Sequence, residues 1–180
     1  MTIYDYVRKN AFKVVIAGDG AVGKTTVGKR ISAKKGNFNI DENIDMTPGV
    51  DFHDLKIQRY EQIDCQIWDL GGQEQFRYFQ DDFFNSATIV VLVFAANMYH
   101  SFMNLKSWVS LVSKELLEKT YLIANKIDAD NRSVPKEKGI EFANKYGMTY
   151  FEISALTGEG FEEFKEDISK TIEFIFIAKD

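Results

Sequence analysis

The sequence predicts an α/β fold: an open, six-stranded, mostly parallel sheet with one antiparallel edge strand and helices on both faces. Three observations lead there. Apolar runs of strand length alternate with segments of helical periodicity along most of the chain. Residues 87–95, Ala87-Thr88-Ile89-Val90-Val91-Leu92-Val93-Phe94-Ala95, form the continuous apolar run expected of a strand buried on both faces. The stretch Gly18-Asp19-Gly20-Ala21-Val22-Gly23-Lys24-Thr25 lies between a strand-like and a helix-like segment and matches G-x-x-x-x-G-K-S/T, the pattern of a phosphate-binding loop.

The elements follow in order. Residues 1–11 read as a short leader with apolar residues at 3, 4, 6 and 7. Thr2 follows the initiator methionine, so the glycine that N-myristoylation requires is missing. Phe12 to Ala17 is the first strand, and the helix opened by the glycine-rich loop runs to about residue 35. Asn37 to Val50 mixes Asp, Asn, Gly and Pro without apolar periodicity, and polar loops of that length are usually functional. Val50–Tyr60 and Gln62–Trp68 are strand-like and joined tightly around Glu61, which implies an antiparallel pair. Asp69-Leu70-Gly71-Gly72-Gln73-Glu74 breaks the pattern at the end of the second.

Beyond the central strand, Phe102, Leu105, Trp108, Val112 and Leu116 recur at helical spacing and read as core. Tyr121-Leu122-Ile123-Ala124 is a further buried strand, followed at once by Asn125-Lys126-Ile127-Asp128. Pro135 suits an early helical position ahead of Ile140, Phe142 and Ala143. Thr149 to Ile153 is the last strand. Phe161, Phe164, Ile168, Ile172 and Ile175 stripe one face of a final helix.

The totals bound the possibilities. A chain of 180 residues, 45% hydrophobic and 27% charged, is expected to form one globular domain over 1–180. A net charge of −5 argues against a nucleic-acid partner. No apolar run reaches the ~20 residues of a membrane span. The single cysteine, Cys65, reads as a small buried hydrophobe in a reducing, cytoplasmic setting. His53 and His100 lie far apart with no ligand-like neighbours, so a zinc site is not supported.

Every candidate motif follows a strand, where ligands of such sheets bind. Gly18, Gly20 and Gly23 let successive backbone N–H groups curl around an anion at a helix N-terminus. Lys24 would sit between the β- and γ-phosphates, and the Thr25 hydroxyl would ligate Mg²⁺. Asp69 is placed to hold that ion directly or through water; a helix N-cap is the minor alternative for it. Gly72 can bring a backbone N–H to a γ-phosphate, and Gln73 offers both an acceptor and a donor to orient water. Thr47 is the one hydroxyl the 37–50 loop offers to complete the Mg²⁺ shell; by itself it reads as a turn residue. Phe38 stacks edge-on against a base or anchors the loop to the core, and both readings stand.

Asn125-Lys126-Ile127-Asp128 selects the base. Guanine presents N1–H and an exocyclic amine as a donor pair that the Asp128 carboxylate accepts in bidentate fashion, whereas adenine would leave that charge unmatched. Asn125 can bridge base and phosphate loop while the Lys126 stem lies over the base plane. Ser154-Ala155-Leu156 brings a backbone N–H to the guanine carbonyl.

Together, Gly18–Thr25, Thr47, Asp69-x-x-Gly72-Gln73, Asn125-Lys126-x-Asp128 and Ser154-Ala155 resemble the five guanine-nucleotide motifs of Ras-superfamily small GTPases, a phosphate-loop NTPase fold. The resemblance spans residues 12 to about 177. Thr47-Pro48-Gly49-Val50-Asp51-Phe52, Ile67-Trp68-Asp69 and Ser101-Phe102 with Trp108 look Rab-like. Asp69-Leu70-Gly71-Gly72-Gln73 looks more like the Arf and heterotrimeric Gα pattern, so no branch is assigned. The resemblance implies a GTP-hydrolysing molecular switch for signalling or trafficking, binding GTP, GDP and Mg²⁺. Gly20, Ala21, Val22, Gly23, Lys24, Thr25 and Thr26 would cradle the phosphates, and Thr25 and Thr47 the metal. Gln73 would position water, and Asn125, Lys126, Asp128 and Ala155 would read guanine. Segments 37–50 and 70–84 would be the two switches, signalling nucleotide state to partners.

The same resemblance implies slow intrinsic hydrolysis, a monomer, and an exchange factor, an activating protein and effectors as partners. Three departures stand out. Phe176-Ile177-Ala178-Lys179-Asp180 carries no cysteine for a prenyl anchor, so no lipid anchor is expected from it. Pro48 stiffens the first switch, which is also a few residues longer than usual. With no evident arginine in cis, Pro48 motivates an alternative, a non-hydrolysing guanine-nucleotide scaffold. A phosphotransferase would need an arginine-bearing lid, and no segment between the strands is long or basic enough.

Overall fold

The structure is a computed structural model that describes residues 11–33, 38, 47–58, 62–72 and 81–178. Residues 1–10 of the leader, and most of both expected switch segments, fall outside the described residues, and Ala11, counted with the leader from sequence, belongs to the first strand.

Six strands form one sheet in the order β2-β3-β1-β4-β5-β6. They are β1 (Ala11–Ala17), β2 (Val50–Gln58), β3 (Gln62–Leu70), β4 (Ile89–Ala95), β5 (Thr120–Asn125) and β6 (Thr149–Glu152). Only the β2–β3 pair is antiparallel, with Val50 opposite Leu70 and Gln58 opposite Gln62. β1 pairs in parallel with β3 and β4, and β5 joins β4 to β6. The topology is the expected one.

Period-2 alternation splits the core between two faces. On one, Val14, Ile16, Val91, Val93 and Ile123 pack with Val27 and Ile31 of α1 (Lys24–Ser32) and with Phe161, Phe164, Ile168, Ile172 and Phe176 of the final helix. On the other, Val15, Ala17, Val90, Leu92, Phe94 and Leu122 meet Phe84, Leu105, Trp108 and Ala143. Those last residues come from α2 (Asp81–Phe84), α4 (Leu105–Val109) and α6 (Lys136–Tyr146). All seven residues of β4 are buried, because it is central and covered on both sides.

Four local readings need correcting. The helical periodicity over 102–116 is broken into α3 (Tyr99–Met103), α4 and α5 (Lys114–Leu117). The chain turns at Asn104, whose side chain is drawn to Asp19, and again before Ser113, whose backbone is extended. Pro135 occupies the N-cap of α6 in an extended conformation, outside the first helical turn. In the final helix, α7 (Phe161–Ile177), Phe176 completes the buried stripe and Ile175 packs partly buried beside it. Asp69 lies within β3, opposite Asp51 and Ile16, so the strand carries the carboxylate to the rim before the chain leaves the sheet at Leu70.

Candidate functional site

The loops at the carboxyl ends of β1, β3, β5 and β6 meet at one rim of the sheet. β1 delivers the chain to Gly18, and α1 begins at Lys24 with Val27 N–H bonded to Gly23 O at 3.0 Å. The first N–H groups of a helix have no intrahelical acceptor. Gly23 at the N-cap has no side chain to take them, and no acidic residue stands in the first turn. The donors of Lys24, Thr25 and Thr26 are thereby presented to an anion. Gly23 adopts φ 94°, and a Cβ there would lie 2.4 Å from Asn125 Nδ2. The other left-handed residue of the turn is Ala21 (φ 61°), while Gly20 faces open space.

Lys24 is buried within the loop it serves. Its Nζ donates to the Asp19 carbonyl at 2.6 Å. Burial lowers its pKa to about 8, opposed by the charges of Asp69 and Asp19. A cation held this way, with its charge poorly solvated, is primed for an anionic ligand. Gly72 closes the loop from outside: a Cβ on it would lie 2.4 Å from the Gly20 nitrogen, so only glycine permits this approach.

Three oxygen-bearing side chains converge beside Lys24. Thr25 Oγ1 donates to Asp69 Oδ2 at 2.5 Å and lies 2.9 Å from Thr47 Oγ1. Asp69 is 0% exposed, and its Oδ1 has no hydrogen-bond partner. Burial raises the Asp69 pKa against the lowering effects of the Thr25 bond and the Lys24 charge. A carboxylate in that position favours a cation nearby. Hydroxyl and carboxylate oxygens are hard donors that suit Mg²⁺. Among the described residues no group of three His, Cys, Asp or Glu side chains could hold a metal.

The other half of the rim is built on Asn125, at the end of β5 and almost fully buried. Its Nδ2 donates to Val22 O at 2.9 Å, and its Oδ1 accepts Ala155 N–H at 2.9 Å. One amide thus ties the phosphate loop to the turn after β6. Lys126 takes φ 63° and reaches back to Ala21 O at 2.7 Å. Between these groups is a cavity of about 300 Å³ lined by Gly23, Thr26, Asn125, Lys126, Asp128, Ala129, Ala155 and Leu156. Ser154 is buried, and its Oγ accepts Thr157 N–H at 2.9 Å.

Of the candidate site residues named from sequence, all but Gln73 are described. Gln73 lies outside the described residues. Phe38 is half-buried under Arg30, whose guanidinium carbon sits 4.2 Å from its ring centre. His53 and His100 belong to different elements: His53 packs on α1 at Gly28, while His100 is exposed, 3.7 Å from Asp19. Sequence reading missed three anchors. Trp108, given no part in the site from sequence, donates its indole N–H to Asp19 Oδ1 at 2.9 Å, and Asn104 donates to Oδ2 at 2.6 Å. A buried tryptophan needs a partner for its N–H, which is the one signal that could have prompted the search. Arg30 donates to Ala155 O and Leu156 O, each at 2.9 Å. No local pattern marked it.

Comparison with known proteins gives the family. A family model, that of the Ras family, matches residues 13–174. The chain is 35% identical over 173 residues to Ras-related protein Rab-2B of Dictyostelium discoideum, covering 92% of this chain and 84% of that protein. It is 34% identical over 180 residues to human Ras-related protein Rab-27B, covering 92% and 79%. Against Ras-related protein RABE1e of Arabidopsis thaliana it is 32% identical over 178 residues, covering 94% and 77%.

Proposed function

Taking as premise that this chain belongs to the Ras family, we propose that the rim formed by Gly18–Thr26, Asp69–Gly72, Asn125–Asp128 and Ser154–Leu156 is its guanine-nucleotide site. The protein is a GTP-binding molecular switch that hydrolyses GTP to GDP and phosphate. The scaffold alternative is not favoured. Its relatives are Rab-related, in keeping with the Rab-like text around Thr47 and Trp108, and no branch is assigned.

The observation that carries the site assignment is the pair of hydrogen bonds made by the Asn125 side chain. Its side chain joins Val22 of the phosphate loop to Ala155 of the turn after β6, which sets the distance between an anion subsite and a planar cavity. In that cavity Asp128 accepts the guanine N1–H and exocyclic amine, Lys126 forms one wall, and the turn of Ser154, Ala155 and Leu156 meets the base carbonyl. The loop amides and Lys24 hold the phosphates, and Gly72 N–H meets the γ-phosphate. Gln73 orients the attacking water toward it. Thr25, Thr47 and Asp69 would hold Mg²⁺, which would neutralise charge on the phosphate oxygens.

The switching element is suggested by a short link. Gly71 N–H donates to Gly49 O at 2.6 Å, joining the segment that leaves β3 to the one that enters β2. Phosphate contacts at Thr47 and Gly72 therefore bear on both segments together, offering partners a surface that depends on the nucleotide. An exchange factor, an activating protein and effectors are the partners proposed for a monomeric single domain over 1–180. A reducing, cytoplasmic setting fits the lone buried thiol of Cys65. No helix among the described residues is long and apolar enough to cross a membrane.

The test is to denature the purified protein, identify the released nucleotide, and time γ-phosphate loss with and without Mg²⁺. A guanosine nucleotide and Mg²⁺-dependent phosphate release are expected. If no guanosine compound is released and GTP fails to raise the melting temperature in magnesium buffer, the site assignment is wrong.

A further inference from the structure

We propose that Arg30 is a positioning residue for guanine recognition: it clamps the turn after β6 so that the backbone N–H of Leu156 faces the base carbonyl. This deepens the guanine reading above and rests on it.

Arg30 lies on α1 and reaches a turn 125 residues later in the chain. Nε donates to Ala155 O and Nη2 to Leu156 O, each at 2.9 Å, so one planar fork holds two successive carbonyls. An ammonium group lacks that fixed geometry. Because the peptide unit is planar and trans, fixing Ala155 C=O also fixes the direction of Leu156 N–H. Fixing Leu156 C=O does the same for Thr157 N–H, which is bonded to Ser154 Oγ. Both Ala155 and Leu156 line the cavity assigned to the base.

The clamp is itself held. Phe38 lies 4.2 Å from the guanidinium carbon and Phe161 5.4 Å, so aromatic rings from two other parts of the chain pack against it. Gly158, at φ 92°, leaves room for Nη1, which a Cβ there would approach to 2.7 Å. Phe38, which lies within the first expected switch segment, thus packs on the side chain that holds the turn after β6.

The experiment compares GDP, IDP and 6-thio-GDP by competition in Mg²⁺ buffer on wild type, Arg30→Met and Arg30→Lys. IDP removes the amine that Asp128 reads, while 6-thio-GDP replaces only the carbonyl oxygen with a poorer acceptor. Wild type should bind each analogue about tenfold more weakly than GDP. In Arg30→Met, GDP should weaken about tenfold and the 6-thio penalty should shrink to about twofold, with the IDP penalty retained. Arg30→Lys keeps the charge and the stem, preserving the fold if the methionine variant is lost, and should show the same base-selective change to a smaller degree. A 6-thio penalty that survives in the variant, or an equal loss for all three nucleotides, overturns the proposal. A wild type indifferent to all three bases overturns the guanine reading with it.

Discussion

Thr25 donates its hydroxyl to Asp69 Oδ2 at 2.5 Å, while the other carboxylate oxygen, Oδ1, is buried with no hydrogen-bond partner. A fully buried carboxylate half-satisfied in this way needs a further positive or donating group, and Mg²⁺ with its waters fits. Asp69→Ala should therefore weaken Mg²⁺ retention by about 10- to 100-fold. The check is GDP dissociation in Mg²⁺ and in EDTA. The two rates should converge in the variant, and a wild-type gap between them would remove Asp69 from the metal site.

Gly23→Ala tests the seam between the two halves of the site. The added Cβ would lie 2.4 Å from Asn125 Nδ2 at a backbone φ of 94°. Asn125 must then release Val22 O, Ala155 N–H or both, at a cost of about 1–3 kcal/mol for each buried group left unpaired. GDP affinity measured by calorimetry should fall about tenfold or more. Wild-type affinity would show that the two halves act independently.

Asp128→Asn should move base preference from guanine toward xanthine, whose second carbonyl accepts from the new amide where guanine's amine donated to the carboxylate. Competition between GDP and XDP reads the change. An unaltered preference for GDP would mean that Asp128, which lines the cavity, does not read the base.

Gln73 follows Gly72, whose backbone already touches the phosphate loop. Gln73→Leu removes both hydrogen-bonding groups and should slow single-turnover phosphate release by on the order of tenfold to a hundredfold. A normal rate would leave the orientation of water to another group.

Cys65 is buried in β3, and burial, aided by the Asp64 charge, pushes its thiol pKa up to about 12. Native protein should resist alkylation at neutral pH and react stoichiometrically once unfolded in urea. The raised folded value also sets a sign. Below about pH 9 the thiol is neutral in both states, and between 9 and 12 only the unfolded chain ionises, so stability falls as pH rises through that window. Full labelling of the native protein at pH 7.5 would contradict the burial.

Strand order aside, the sheet and its ligand rim were legible in the chain because each motif is contiguous. A phosphate loop needs its glycines, lysine and threonine in one turn, and Asn125 and Asp128 must leave one strand together. Hydrogen bonding and periodicity over a few residues decide such features locally. The breaks at Asn104 and Ser113 were not legible, since the apolar spacing of Phe102, Leu105 and Trp108 reads the same across a kink.

Sequence alone determined the fold class and the guanine-nucleotide chemistry of the family, and it named the residues proposed to meet the ligand. Packing decided which distant groups hold those residues still. Trp108 and Asp19 are 89 residues apart in the chain, and Arg30 and Ala155 are 125 apart. Each pair exists because helices laid on the two faces of the sheet bring their side chains to the same rim. No local pattern encodes such a meeting: it depends on the sheet's order and the depth at which each helix settles into the core.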